Sequence, residues 1–246
     1  MTIRADLHIH SCLSPCGSLE MSPARIIDRA VREGLDLIAL TDHNTALNCP
    51  AFEEIANRRG DIRCLYGLEL ASREEVHALA IFSTSAEAVS FSNEIFEFLP
   101  DIRFDPELFG DQVYVDAEEN IIGSIDRYLV SGLTLSLEEL EARVHHRRGL
   151  FVPSHVDRAL FSITSQLGFI PDGRNYDAIE FSRHFLKRGQ NPLTINRNDR
   201  YAVITGSDSH YLDGIGAAFT EIECETISLD DVSSALRARR VRTVVR

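Results

Sequence analysis

The chain has 246 residues, of which 44% are hydrophobic, and this is enough to bury the core of a large α/β domain. Its formal net charge of −13 argues against long nucleic acid and anionic membranes as partners. Five cysteines without paired CxxC spacing argue against a disulfide framework. The first strand signal follows directly on the N-terminus and no long apolar run is present, so we expect a cytoplasmic location.

The run from Ile3 to His10 is the first predicted strand. Its odd positions are apolar and its even positions are polar. One face of the strand is therefore expected to pack in the core, and the other is expected to present the functional side chains. Side chains two residues apart on a strand share a face. His8 and His10 are therefore expected to bind one metal ion together.

Helix and strand signals then alternate along the chain. Ser22-Pro23, apolar residues at helical spacing and Gly34 predict a capped helix with proline at its first position. Similar signals predict strands over 35–41, 62–70, 76–82, 150–153, 178–181, 202–205 and 241–245, and helices over 48–59, 136–148 and 228–240. This alternation indicates βαβ units and a parallel sheet. In such folds the chemistry gathers at the carboxyl ends of the strands.

The alternation lapses between residues 85 and 132. A helical run over 86–99 precedes a mixed, acidic segment that contains Gly110 and Gly123. A structureless loop of that length would be improbable inside a compact domain. We therefore predict a single domain over residues 1–246, with an insertion or lid at about 85–132.

Short polar motifs stand mostly at the ends of the predicted strands. They are Asp6-Leu7-His8-Ile9-His10, Thr41-Asp42-His43-Asn44, Gly67-Leu68-Glu69, His77, Ser154-His155 and Ser207-Asp208-Ser209-His210. Imidazoles and carboxylates that converge at one edge of a sheet are typical ligands of divalent metals. The motifs together predict a polymetal site. Asp6 and Asp42 are expected to orient the adjacent imidazoles.

With these motifs in this order, the chain resembles the PHP (polymerase and histidinol phosphatase) family of metal-dependent phosphoesterases. The resemblance spans most of the chain and rests on DLHIH, TDHN, the glutamate of GLEL, PSH and GSDSH. It implies a distorted (β/α)7 barrel, a TIM-like α/β fold, with two or three divalent ions (Mn, Zn or Fe) at the strand ends. Motif matching implies His8, His10, Glu69 and Asp208 around one ion, His43 and bridging Glu69 on a second, and His77, His155 and His210 on a third.

The resemblance also implies a hydrolase that cleaves a phosphate ester with a metal-bound hydroxide. Glu69, Asp208 and His43 would then be catalytic, and Arg73 and Arg158 could bind substrate phosphate or equally form surface ion pairs. The acidic charge favours a small phosphomonoester or a short nucleotide over long nucleic acid. Two alternatives stay open, a non-catalytic metal-binding regulatory module and a metal-dependent amidohydrolase.

One segment departs from the family pattern. After the HxH motif the family usually has serine-aspartate-glycine, and this chain reads Ser14-Pro15-Cys16-Gly17. The aspartate that commonly helps to hold the second metal is therefore missing. Cys16 could replace it as a soft ligand, which would favour zinc or iron over magnesium, and Glu20 is the other candidate.

Overall fold

The computed structural model describes all residues from 1 to 246. Its strands are β1 (Thr2–Ile9), β2 (Leu37–His43), β3 (Arg63–Ala71), β4 (His77–Phe82), β5 (Val113–Val115), β6 (Ile121–Ser124), β7 (Leu150–Pro153), β8 (Ile179–Glu180), β9 (Val203–Ile204), β10 (Ala218–Glu223) and β11 (Val241–Val245). Its α-helices are α1 (Pro23–Arg32), α2 (Cys49–Arg59), α3 (Ser85–Phe96), α4 (Pro106–Phe109), α5 (Leu137–His146), α6 (Ile163–Leu167), α7 (Arg183–Lys187) and α8 (Leu229–Arg237). None of these helices is both long enough and apolar enough to cross a membrane.

Seven strands form one curled sheet in the order β11-β10-β1-β2-β3-β4-β7. The parallel pair of β8 and β9 lies beside β7, where the N–H of Asp177 donates to the carbonyl of Phe151 at 3.1 Å. Beyond β9, Ser209 forms a parallel bridge with Ile9 of β1. The strands thus curve around a common interior, and the prediction of a distorted α/β barrel is confirmed.

The sheet is mixed, so the prediction of parallel pairing throughout is wrong. β1, β2 and β3 are parallel neighbours. β4 is antiparallel to both β3 and β7, and β10 is antiparallel to both β1 and β11. Only residues 72–76 join β3 to β4, which is too short a connection for a crossover helix. These two strands therefore form a hairpin.

Two apolar clusters pack on the two faces of the sheet. The larger has 42 buried residues and includes the apolar faces of α1, α2, α3 and α5. The smaller has 19 buried residues and includes Leu65, Leu79 and the apolar face of α8. Glu69 follows Leu65 on the same face of β3 and pairs in register with Leu79. Beyond the smaller cluster, this sheet face therefore becomes polar at the carboxyl end of β3.

The predicted alternation of apolar and polar side chains holds only in the first part of β1. The pairing of β1 with β2 shifts register after Asp6. Before the shift the odd residues pack in the smaller cluster, whereas Ile9 packs in the larger one on the other face. The prediction of one continuous apolar face is therefore wrong at Ile9, because an irregularity of this kind reverses the faces. The reversal turns His8 and His10 toward Glu69.

The segment over 85–132 holds α3, α4, β5 and β6. Residues of α3 pack within the larger cluster. The hairpin of β5 and β6 borders the loop after β1, because Val115 packs with Cys12 and donates its backbone N–H to Asn48 at 2.9 Å. Asn44, next to His43, donates to the carbonyl of Leu129 at 2.8 Å. The segment is thus anchored near the polar end of the sheet, and its role as a lid stays a prediction.

Candidate metal centre

Glu69 lies at the centre of the polar cluster. It is 1% exposed, and its two oxygens lie within 3.5 Å of five imidazole nitrogens. Oε1 is 3.3 Å from His8 Nε2, 3.2 Å from His77 Nδ1 and 3.2 Å from His155 Nε2, while Oε2 is 3.1 Å from His43 Nδ1 and 3.5 Å from His10 Nε2. One carboxylate thus joins histidines from β1, β2, β4 and the end of β7.

Asp208 and His210 reach the same cluster from the loop after β9. Asp208 Oδ1 lies 3.5 Å from His8 Nε2 and 3.4 Å from His10 Nε2. The ring of His210 stacks on that of His10, with centroids 4.1 Å apart. Asp208 has a φ of 48° and His155 a φ of 29°, so left-handed backbone at both strand ends directs these side chains inward.

His77 begins its strand, whereas the other candidate ligands lie near or just after the carboxyl ends of theirs. Because β4 runs antiparallel to β3, His77 pairs with Ala71 at the carboxyl end of β3. The start of one strand and the end of the other therefore lie at the same edge. The antiparallel hairpin explains how a residue early in β4 contacts Glu69.

Three groups of side chains could each hold a metal ion. They are His8 with His10 and Glu69, His43 with Glu69 and His77, and His10 with His43 and His210. His210 is thus grouped with His10 and His43, not with His77 and His155 as the family resemblance implied. The bridge between Ile9 and Ser209 explains this, because it places His210 beside β1. All eight predicted ligands lie in one cluster, and their coordination of metal stays a proposal.

The two carboxylates of the cluster are held in their charged form. Burial raises the pKa of Glu69, but the charges of His77 and His8 outweigh burial and hold this pKa well below its usual value. Burial likewise raises the pKa of Asp208, and the charge of His8 with that of Arg158 lowers it well below normal. Charged carboxylate oxygens among imidazole nitrogens form a donor set that suits a divalent cation.

In two of the histidines, a hydrogen bond determines which ring nitrogen faces the cluster. His8 Nδ1 lies 2.9 Å from Glu180 Oε2, and His210 Nδ1 lies 3.1 Å from the backbone oxygen of Asp208. Since both partners are acceptors, each Nδ1 carries a hydrogen, and Nε2 is the ring nitrogen that is left to bind a cation. Several ring nitrogens of the cluster, such as His77 Nε2, are buried without a hydrogen-bond partner. These observations fit the binding of metal.

Asp42 acts on His10 through a serine, and not on the adjacent imidazole. The hydroxyl of Ser14 donates to Asp42 Oδ1 at 2.6 Å and accepts from His10 Nδ1 at 2.9 Å. Asp6 differs from the prediction as well. It accepts the backbone N–H of Ser207 at 2.9 Å and so fixes the loop after β9 rather than an imidazole.

Glu180 belongs to the site, although the motif analysis missed it. It ends β8, is 2% exposed and accepts from the backbone N–H of His155 at 3.2 Å as well as from His8. The available signal was its place at the end of a predicted strand, but no histidine stands beside it in the sequence. Its carboxylate orients one proposed ligand and positions the backbone of another.

We expect Glu180→Gln to weaken metal binding about 10- to 100-fold, the usual cost of losing a group that orients a metal ligand. Glutamine has nearly the same size but lacks the charge that holds His8 in the required tautomer. Titration calorimetry with Zn²⁺ and Mn²⁺ measures the affinity. Glu141→Gln is the matched control, because Glu141 is also buried but binds the backbone N–H of Asn175. Equal affinities in both variants would contradict the role of Glu180.

Cys16 stands beside the imidazoles, whereas Glu20 does not. Cys16 Sγ lies 3.3 Å from His43 Nε2. Glu20 is exposed and pairs with Arg25 at 3.1 Å. Partial desolvation raises the pKa of the Cys16 thiol, but hydrogen bonds with His210 and His43 outweigh it and lower this pKa to about 6. A thiol that loses its proton readily thus stands near the imidazoles, in the segment where the family usually has an aspartate.

The two candidate phosphate-binding arginines lie in different places. Arg158 Nη2 is 2.5 Å from Asp208 Oδ2, and the Arg158 side chain is 41% exposed, so it reaches both the cluster and solvent. Arg73 is 63% exposed and has Glu74, at 3.8 Å, as its ionic neighbour. The structure brings Arg158 to the cluster and leaves Arg73 on the surface.

Known proteins are similar to this chain at low sequence identity. The uncharacterised protein YqxK of Bacillus subtilis is 23% identical over an alignment of 274 positions, which covers 99% of this chain and 64% of YqxK. The lesion-specific endonuclease PfuEndoQ of Pyrococcus furiosus has a TM-score of 0.68 at 18% identity, over 97% of this chain and 56% of PfuEndoQ. A two-domain protein of Bacteroides vulgatus, which contains a predicted PHP-like metal-dependent phosphoesterase, has a TM-score of 0.55 at 18% identity. The match covers 100% of this chain and 65% of that protein. The chain thus spans less than two thirds of each.

The expectation that long nucleic acid is excluded as a partner is wrong. One similar structure is endonuclease Q in complex with a 27-mer duplex that has an abasic lesion at the active site. It matches this fold with a TM-score of 0.65 at 17% identity, over 97% of this chain and 57% of endonuclease Q. A related protein of this fold therefore binds duplex DNA. The net charge of −13 is a sum over all residues of the chain and does not describe the local electric field beside Arg158.

The sequence of this chain also matches a family model. The model describes the PHP domain and matches residues 6–221. This range contains every polar motif from Asp6 to His210, together with Glu180. The resemblance seen in the sequence is confirmed, and the chain belongs to the PHP domain family.

Proposed function

We propose that this chain is a metal-dependent phosphoesterase that hydrolyses a P–O bond. The observation that supports this most is the convergence of five imidazole nitrogens on the carboxylate of Glu69, because such a carboxylate can bridge two cations. The proposed ligands of the divalent ions, Mn, Zn or Fe, are His8, His10, His43, Glu69, His77, His155, Asp208 and His210.

Bound ions would supply Lewis-acid polarisation of the phosphoryl group and a nucleophile derived from water. The part of the chain is to hold the donors and the substrate in place. Glu69, Asp208 and His43 are the proposed catalytic residues, since they would contact the ions. Arg158 offers a planar fork of donors, so its remaining N–H groups can bind a phosphate oxygen beside Asp208. No nucleophilic serine or cysteine is required.

The substrate is proposed to be a phosphate ester that reaches a site open at Arg158. A small phosphomonoester or a short nucleotide suits the acidic surface of the chain. A phosphodiester of nucleic acid is the second candidate, which the likeness to endonuclease Q favours. Both candidates need the same arrangement of cations around one phosphoryl group, so a substrate panel must separate them.

Metal removal is the first test of this proposal. We expect metal-stripped protein to be inert toward phosphomonoesters, phosphodiesters and short RNA, and we expect Mn²⁺ or Zn²⁺ to restore turnover. Asp208→Asn, prepared and reconstituted in the same way, serves as the control for a contaminating phosphatase. Phosphoesterase activity that persists after complete chelation of the metal would contradict the proposal.

Two other outcomes would favour the alternative functions. If the protein binds one metal ion per chain and hydrolyses no phosphate ester, the result would favour a regulatory module. Hydrolysis of amides and not of phosphate esters would favour an amidohydrolase. The sequence argues against the latter, because no lysine stands at a strand end to form a carbamylated bridge and Glu69 occupies the bridging position.

A further inference from the structure

Two exposed apolar residues, Leu160 and Phe161, stand in the loop over 157–162 that follows His155. Leu160 is 65% exposed and Phe161 is 38% exposed. The ring of Phe161 stacks on the ring of His77, with centroids 4.8 Å apart and planes 15° apart. One face of the Phe161 ring therefore covers a proposed metal ligand. The opposite face is left for a partner from solvent.

Hydrogen bonds hold this loop in one conformation. The carbonyl of Phe161 accepts the backbone N–H of His77 at 2.9 Å, and the hydroxyl of Ser162 donates to the carbonyl of Arg158 at 2.6 Å. Asp157 accepts the backbone N–H and the hydroxyl of Ser182 at 2.6 Å each. Phe161 has a φ of 57°, which a bulky residue adopts only where its surroundings impose it. The aromatic ring is thus preorganised at the site.

The same loop carries the cation proposed to bind phosphate. Arg158 lies three residues before Phe161 and pairs with Asp208 at 2.5 Å. Proteins bind single nucleotides and unpaired bases by stacking the base on an aromatic ring while cations hold the phosphate. An aromatic face at His77 and an arginine at Asp208, beside one cluster of candidate metal ligands, meet these requirements.

We propose that Phe161 forms a nucleobase subsite of the candidate metal centre. The substrate is then a nucleotide or an unpaired nucleotide of a nucleic acid, with its base stacked on Phe161 and the scissile phosphate beside Arg158. This inference rests on the proposed phosphoesterase function and narrows its substrate class. A sugar phosphate that lacks a base would use the cations alone.

Fluorescence offers a test of the subsite that does not depend on turnover. The chain has no tryptophan, so Phe161→Trp introduces a single reporter at the subsite. We expect AMP and short single-stranded DNA to quench its emission, and ribose 5-phosphate, which has the phosphate but no base, to leave it unchanged. Phe169→Trp is the matched control, since Phe169 is 62% exposed and stacks on no other ring, and its emission should not respond. Equal responses to AMP and ribose 5-phosphate would overturn the proposal.

Kinetics separate stacking from a purely covering role of Phe161. We expect Phe161→Ala to raise KM for nucleotide substrates about 5- to 150-fold, the range that corresponds to the loss of one stacked base. The KM for ribose 5-phosphate should change far less than the KM for nucleotides, metal should stay bound, and Phe161→Tyr should restore nucleotide KM. Equal losses on both substrates, or loss of metal, would show that the ring only shields His77. If the wild-type protein hydrolyses no phosphate ester, the proposed function fails, and the fluorescence still decides whether a base binds.

Discussion

Glu69→Gln is expected to lose bound metal and to lower phosphoesterase activity at least about 100-fold, since even groups that only orient a ligand contribute about 10- to 100-fold. Glutamine is nearly isosteric with glutamate, so the fold should persist. The change removes the charge that faces five imidazole nitrogens and could bridge two cations. Metal content by mass spectrometry and kcat/KM on a phosphate ester are the two measurements.

Circular dichroism and thermal melting provide the control for the Glu69 experiment. The secondary structure of Glu69→Gln should match the wild type, and Glu141→Gln should keep both metal and activity. Wild-type turnover with an unchanged metal content in Glu69→Gln would contradict the bridging role. Loss of metal in both variants would instead indicate a general loss of folding.

Cys16→Asp is expected to shift the metal preference from Zn²⁺ or Fe²⁺ toward Mn²⁺ or Mg²⁺, because carboxylate oxygen suits hard cations and thiolate suits soft ones. The short distance of 3.3 Å between Cys16 Sγ and His43 Nε2 supports a shared ion. Cys16→Ser should lower Zn²⁺ affinity by about tenfold or more, since a lost ligand costs at least as much as a lost orienting group. Competition between metals at equilibrium measures both effects.

Alkylation provides an independent readout of the same role of Cys16. A metal-bound thiolate is protected from alkylating reagents until a chelator removes the ion. Cys16 is exposed, so the bound ion and not burial would account for protection. Cys64, which is partly buried and outside the cluster, should react equally with and without metal. Alkylation of Cys16 that is independent of metal, with an unchanged preference in Cys16→Asp, would rule out coordination.

Local signals in the sequence were sufficient for most of the fold. Pro23 and Gly34 bracket α1, and the predicted strands over 150–153 and 241–245 coincide with β7 and β11. β10, the hairpin of β5 and β6, and the short helices α4, α6 and α7 were not predicted. β10 is an interior strand of the sheet, because it pairs with both β1 and β11. Such pairing joins residues far apart in the sequence, so no local pattern reveals it.

The motifs identified side chains that the structure brings together, but they did not reveal how these side chains are arranged. Spacing on β1 places His8 and His10 on one side, and this holds in the structure even though the register shift changes which side it is. Grouping His210 with His10 depends on the bridge between Ile9 and Ser209, which is a tertiary contact. Glu180 carries no motif, and it becomes recognisable only through its bond to His8.

The bond from the N–H of Ser207 to Asp6 joins residues 201 positions apart in the sequence. The polar cluster likewise needs His8 from the first strand and Asp208, which lies 200 positions later in the chain. Contacts of such long sequence separation close large loops and form late in folding. During synthesis, His8 leaves the ribosome long before Asp208 has been made. We therefore expect metal acquisition to follow closure of the barrel and to report that folding is complete.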